Sequence, residues 1–351
     1  MATATADGDG DGGRSVGRPA PQRSGTIGFM SRRRRAALLA AVLFAAGSAG
    51  CSGKAPTPER PTAPADRPAS ATPAPRVPEG TAPARDFGVG VRQLKLNRDG
   101  GRPLPVTVWY PAAGPPGGEP EHAAAAADGR FPVVMFSHGL GGRPDDYEAL
   151  LTRWAAAGFV VAAPTFPHTS RNADANVLDV LNQPADVSYA LTQVLALDHR
   201  AGDQLRGRLA TDRVAAAGHS AGGVTTIGLF TAGRDERLDA GVVFAGTALG
   251  VGTAFAGTAA PQFFVHGELD EVVEYAAGKA VYDAVPWPKA MLSLTRGDHG
   301  RALLSDGAAM RVVADTTVEF LRWTLYGDPA AKKRIPTDAT RGNLATLDNR
   351  L

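Results

Sequence analysis

Hydrophobic positions are spread unevenly along the chain, and their spacing divides it into parts. From Val89 to Leu96 apolar and polar residues alternate, which predicts a strand with one buried face. Asn97-Arg98-Asp99-Gly100-Gly101 is a turn signal, and Pro105 to Tyr110 predicts the returning antiparallel strand. Residues 111–130, rich in Pro, Gly and Ala, are expected to be a long surface loop. Phe131 to Phe136 and Phe159 to Ala163 are nearly continuous apolar runs, the pattern of strands buried on both faces. Between them, Asp145 to Ala157 places Leu150, Leu151 and Trp154 at helical spacing. Val187, Leu191, Val194 and Leu195 repeat that spacing. Further strands are expected at Val214–Ala217, Ala240–Ala245, Gln262–His266 and Ala290–Thr295, with helices after Ser220, over Val273–Ala284 and over Met310–Tyr326. Strands alternating with helices predict an α/β fold with a mostly parallel central sheet and helices on both faces.

The rest of the chain lacks this patterning. Residues 1–30 are expected to be a disordered extension. Arg32–Arg35, followed by the apolar run Ala36 to Gly50, has the order of a secretory signal, and the run is too short to span a bilayer. It ends in Ser48-Ala49-Gly50-Cys51, which resembles the lipobox of bacterial lipoproteins. The arginine pair before Ala36 also resembles a twin-arginine export signal. Residues 31–51 are therefore expected to export the chain, with Cys51 as a lipid anchor holding it at a membrane. Residues 52–85 are rich in Pro and Ala and predict an extended linker. The folded unit is expected over 86–326, with a loose polar tail over 327–351.

A net charge of +2 gives no reason to expect a nucleic-acid partner. Cys51 is the single cysteine, so no intramolecular disulfide forms and thiolate chemistry is excluded from any active site. No His, Asp or Glu spacing suggests a metal site, and no cofactor is expected.

The candidate chemistry centres on Gly218-His219-Ser220-Ala221-Gly222. An apolar strand leads in and an Ala/Val/Ile/Leu run leads out, the context in which Gly-x-Ser-x-Gly forms a nucleophile elbow. Serine needs a base, and the base needs an orienting acid. Two histidines follow the elbow. His299, in Arg296-Gly297-Asp298-His299-Gly300, comes directly after the last strand and is the expected base. His266 lies within a strand and is expected to fill space beneath the acid loop. The acid is expected after the strand before the last, where Asp270 stands in a His-Gly-x-x-Asp-x-x-Val pattern. Glu268 and Glu271 beside it read as solvated. Asp298 adjoins the base and diverges from it, and Asp239 precedes its strand. Two backbone donors are expected to face the oxyanion: the N–H of Ala221 and, from the loop after Phe131–Phe136, the N–H of Leu140. His138 is expected to hold that loop, and His219 to be a buried neighbour of the elbow. His168 stands either at the mouth of the pocket or on the surface.

The chain resembles the α/β-hydrolase superfamily, near the platelet-activating-factor acetylhydrolase, dienelactone-hydrolase and bacterial polyester-hydrolase (cutinase-like) group. The resemblance is carried by Leu104 to Pro111, Phe136 to Gly141, Gly158 to Ala163 and Gly218 to Gly223, and covers about residues 86–326. It implies a serine esterase acting on small-molecule, lipid or polymer esters, whose export is expected from the N-terminal segments. Two positions depart from the group. Acetylhydrolases of this type carry the acid after the strand that follows the elbow helix, where this chain has Phe244-Ala245-Gly246-Thr247, so the acid falls to Asp270. Dienelactone hydrolases use a cysteine nucleophile where this chain has Ser220. The segment between Ala245 and Gln262 is short and made of small residues, which implies an open cleft without a large lid. A non-catalytic binding protein on the same fold, and an amidase or peptidase with the same triad, stay open at this stage.

Overall fold

The computed structural model describes residues 77–351 apart from 79, 172 and 306. The expected extension 1–30, the export segment 31–51 with Cys51, and most of the linker 52–85 lie outside the described residues. Among the described residues no helix is long and apolar enough to cross a membrane.

Ten strands form one sheet: β1 (Gly88–Arg98), β2 (Arg102–Ala112), β3 (Glu121–His122), β4 (Phe131–Ser137), β5 (Val160–Pro164), β6 (Leu209–His219), β7 (Leu238–Phe244), β8 (Gln262–Gly267), β9 (Lys289–Leu294) and β10 (Ala345–Arg350). Their order across the sheet is β10-β9-β8-β7-β6-β4-β5-β2-β1-β3. The centre, from β5 through β4 and β6 to β9, is parallel, and β1 pairs with β2 antiparallel over its whole length. This is an α/β-hydrolase fold.

The helices are α1 (Glu148–Ala156), α2 (Gln183–Leu195), α3 (Ala221–Gly228), α4 (Tyr275–Ala284), α5 (Arg301–Leu304), α6 (Ala308–Leu321) and α7 (Pro329–Ala339). Two cores lie on opposite faces of the sheet. Along β4, Val134 and Phe136 join Trp154 of α1 and Phe320 of α6. Val133 and Met135 point the other way, to Leu191 of α2 and Ile227 of α3. Successive side chains of a strand alternate between faces, so a continuous apolar run is what a strand covered on both sides requires.

The structure corrects two expectations. Residues 327–351 are not a loose tail. Asp328 caps α7, accepting from the N–H groups of Ala330 and Ala331 at 2.9 and 3.2 Å, with Pro329 in the first turn. The chain then returns as β10, antiparallel to β9 from Ala345 opposite Leu294 to Arg350 opposite Lys289. The segment looks polar because β10 is an edge strand whose outer residues meet solvent. The second correction concerns residues 111–130, which place Glu121 and His122 against β1 at the opposite edge of the sheet.

Candidate active site

The site lies at the carboxyl ends of the parallel strands. Between β6 and α3, Ser220 adopts φ 58° and ψ −117°, a left-handed conformation that side chains seldom take. The surroundings hold it there: its N–H donates to the Phe244 carbonyl at 2.9 Å and its own carbonyl accepts from Val224 at 3.1 Å. The turn is tight enough that a methyl group at Gly218 would overlap the Gly222 carbonyl, and one at Gly222 would overlap the Ser137 carbonyl. The motif glycines are therefore required by close backbone approach on both sides of the serine.

The loop after β9 brings His299 over the sheet edge. Its Nε2 lies 2.8 Å from Ser220 Oγ, and its Nδ1 lies 2.8 Å from Asp270 Oδ2. Asp270 follows β8, and its other oxygen accepts from the N–H groups of Val272 and Val273 at 2.8 and 2.9 Å. Burial raises the affinity of this carboxyl for a proton, but hydrogen bonds from His266 and His299, the His299 charge and the Val273 N–H outweigh it. The group is held well below the usual carboxylate range. It is thus an anion facing Nδ1, which fixes that nitrogen as the protonated one and leaves Nε2 free to accept from the serine.

Ala221 follows the serine, and the loop carrying Leu140 approaches it, since a methyl group at Gly139 would lie 3.3 Å from Ser220 Cβ. The Gly139 carbonyl accepts from His138 Nδ1 and from the Gly142 N–H, each at 2.9 Å, and His138 Nε2 accepts from the Phe166 N–H at 3.1 Å. Burial pushes the His138 imidazole down to about 4, so it is neutral. In a trans peptide the C=O and the following N–H point in opposite directions. With the Gly139 carbonyl pinned into its loop, the Leu140 N–H faces away from it. Among the described residues neither the Leu140 N–H nor the Ala221 N–H finds a protein acceptor. The Ala221 N–H also sits at the start of α3, where the helix dipole favours negative charge.

His219 does more than fill space beside the elbow. Its Nε2 lies 2.5 Å from the His299 carbonyl, which can only accept, so Nε2 carries the proton. Nδ1 is then an acceptor, and Tyr147 donates its hydroxyl proton to it at 2.8 Å while accepting the Gly139 N–H at 3.0 Å. Burial, with the His299 charge, pushes His219 down to about 3. His266, expected only to fill space, donates from Nε2 to the Val273 carbonyl at 2.9 Å and lies 3.3 Å from Asp270 Oδ2. Neither Tyr147 nor the wider role of His219 could be inferred from sequence, since Tyr147–His219 and His219–His299 join distant parts of the chain, whereas the partners of His266 lie close by in sequence.

A small cavity adjoins Ser220. It is lined by Val177, Val180, Ala221, Val224, Thr247, Leu249 and Val273, and has a volume of about 10 Å3. Its outer wall is a 3-10 turn, Val177–Leu181, opened by Asn176, whose side chain accepts from the Leu178 N–H at 3.1 Å. The hydrophobic spacing of Val177–Leu181 does not predict this turn. His168 is exposed on the neighbouring loop and does not line the cavity. Among the described residues no cluster of His, Cys, Asp or Glu could hold a metal ion.

Two comparisons bear on this geometry. The chlorophyllase family model matches residues 122–269, a stretch that includes Ser220 and ends just before Asp270. Platelet-activating factor acetylhydrolase of Bos taurus is 25% identical over 181 residues, which cover 40% of this chain and 40% of that protein. The chain therefore spans about two fifths of the length of this relative. With the parallel sheet and the elbow between β6 and α3, the chain has the α/β-hydrolase fold and over these stretches is similar to two groups of esterases.

Proposed function

We propose that this protein is an exported serine hydrolase that cleaves carboxylic esters through an acyl-enzyme. One observation carries the reading. Ser220 Oγ, His299 and Asp270 form an unbroken hydrogen-bonded line, 2.8 Å at each link, beside two backbone N–H groups without protein acceptors. Ser220 Oγ attacks the ester carbonyl carbon while its proton passes to His299 Nε2. The carbonyl electron pair moves onto oxygen, which receives hydrogen bonds from Leu140 and Ala221. Collapse of this intermediate breaks the bond to the leaving alcohol, which takes the proton from His299. Water, activated by the same imidazole, then releases the acid and restores Ser220. Asp270 holds the His299 tautomer and stabilises the imidazolium without itself becoming protonated.

The reading predicts burst kinetics with an activated short-chain ester, and labelling of Ser220 by a fluorophosphonate. A burst that survives in Ser220→Ala overturns the assignment. Absence of labelling in the folded wild type favours a binding protein on this fold. Rates on matched ester and amide substrates separate an esterase from an amidase.

The order of segments 31–51 and 52–85 supports export, with Cys51 acylated and the linker holding the catalytic unit off a membrane. Partition of the full chain into detergent, lost in Cys51→Ser, is the expected result. Equal partition of the two removes the anchor.

A further inference from the structure

The cavity beside Ser220 has a wall that the rest of the site does not explain. Val177 and Val180 face the cavity from the 3-10 turn Val177–Leu181, and between them Asp179 points the other way and is buried. Arg102, on β2, meets it in a two-pronged contact: Nη1 to Oδ1 at 3.0 Å and Nη2 to Oδ2 at 2.7 Å. The same guanidinium holds the fully buried Asp186 of α2 through Nε at 2.7 Å and Nη2 at 2.5 Å. Arg98 also reaches Asp186, at 2.8 Å. A buried charge held in this way has a fixed geometry, because moving one member leaves another unpaired away from water.

The end of the turn is tied as well. Gln183 donates to Thr169 at 2.7 Å and accepts from Thr225 of α3 at 2.6 Å. Thr225 follows Val224, which forms the facing wall of the cavity. The distance between the two walls is thus set by one clamp on the turn and one tie to the elbow helix.

His299 does not line the cavity. The leaving alcohol must be next to His299 Nε2 to take its proton, so the cavity receives the part of the substrate that stays on Ser220, the acyl group. A volume of about 10 Å3 accommodates one water-sized group. An acetyl methyl approaches that limit, and each further methylene requires the wall to move.

We propose that Arg102, through Asp179, is a specificity-determining residue that holds the Val177–Leu181 turn against the acyl pocket and so restricts the enzyme to short acyl chains. This rests on the esterase reading above. The clamp touches neither Ser220 nor His299, so it acts on which ester is used and leaves the proton transfers unchanged.

The test compares kcat/KM for 4-nitrophenyl acetate and 4-nitrophenyl octanoate in the full chain. Asp179→Asn keeps the side-chain shape, removes the charge and one prong of the contact with Arg102, and leaves Arg102 paired with Asp186. The octanoate-to-acetate ratio is expected to rise about tenfold or more in this variant, and likewise in Val180→Ala, which widens the wall directly. Asp186→Asn removes a buried charge from the same cluster while Arg102 stays on Asp179, and its ratio is expected to match the wild type. Fluorophosphonate labelling of Ser220 in each variant reports an intact nucleophile. The clamp is overturned by an unchanged ratio in labelled Asp179→Asn, or by an equal rise in Asp186→Asn, which would mean general loosening. An unchanged ratio in labelled Val180→Ala shows that the acyl chain lies elsewhere. A wild type that labels but cleaves neither ester overturns the esterase reading itself, and this proposal with it.

Discussion

The His219 imidazole donates from Nε2 to the backbone carbonyl of His299 at 2.5 Å, so the residue before the proposed nucleophile Ser220 holds the loop that carries the proposed base. Tyr147 extends the connection, donating to His219 and accepting from Gly139, one residue before Leu140, the proposed oxyanion donor. The elbow, the base loop and the oxyanion loop come from distant parts of the chain and share one buried hydrogen-bonded path.

Tyr147→Phe breaks this path at its centre and leaves His219 Nδ1 and the Gly139 N–H without partners. Two buried unsatisfied groups cost about 1–3 kcal/mol each in stability. Because Leu140 and His299 are both positioned through this path, kcat is expected to fall about tenfold to a hundredfold, with KM little changed. Steady-state kinetics on an activated acetyl ester, corrected for the folded fraction, read the split. A loss confined to KM would mean that the path does not position the reacting groups.

Asp270→Asn keeps the side-chain shape but replaces an anion with an amide. His299 then no longer keeps the proton on Nδ1, and the free Nε2 that accepts from Ser220 is lost. The expected loss in kcat is about 10^4-fold, with the structure intact by circular dichroism. His266→Phe removes a contact to Asp270 and the donor to the Val273 carbonyl but leaves the anion in place. Its loss is expected to be about tenfold. Equal losses in the two variants would place His266 in a role as large as that of Asp270, contrary to this geometry.

The strands were legible because burial on both faces leaves no room for polar residues. β4, β5 and the second half of β6 from Val214 therefore read as apolar runs, while Thr211-Asp212-Arg213 hide the start of β6. Ser220, Asp270 and His299 could be named because each follows a strand and local glycines mark the turns. Arg102 with Asp179, and Tyr147 with His219, could not be paired, since each pair is far apart in sequence and a charged residue at a strand start reads as exposed. The last segment reads as a loose polar tail for a local reason. Asp328-Pro329 is a helix-start signal, but Pro336 inside the helix and the polar outer face of β10 masked the elements that follow.

Two buried neutral histidines make stability depend on pH. His219 and His138 have folded values of about 3 and 4, below an unfolded value of about 6.5. The unfolded chain therefore binds more protons between those limits, and stability falls as pH drops below about 6.5. Each group is deeply buried, and each shift corresponds to a loss of about 3 kcal/mol at pH 4. Asp270, depressed in the folded state, adds a further loss below the usual carboxylate range. Urea titrations from pH 7.5 to pH 4.5 are expected to show a steady fall, reduced in His138→Gln. A flat profile would mean that these imidazoles are solvated.

The segment after Asn343 is expected to matter for activity although it contributes no side chain to the site. β10 completes the sheet beside β9, and the Thr295 N–H donates to the Leu344 carbonyl at 3.1 Å just where the chain leaves β9 for the His299 loop. Ala345 is buried in the core, and Leu344 and Leu347 pack against it. Ending the chain after Asn343 exposes this edge and frees the start of the base loop. The lost ladder and apolar contacts amount to on the order of 3 kcal/mol. Below the resulting Tm, kcat is expected to fall several-fold while fluorophosphonate labelling slows in parallel, since both need His299 in place. A truncated chain with wild-type labelling rate would show that Gly297 and the Asp270 contact fix the base loop without help from β10.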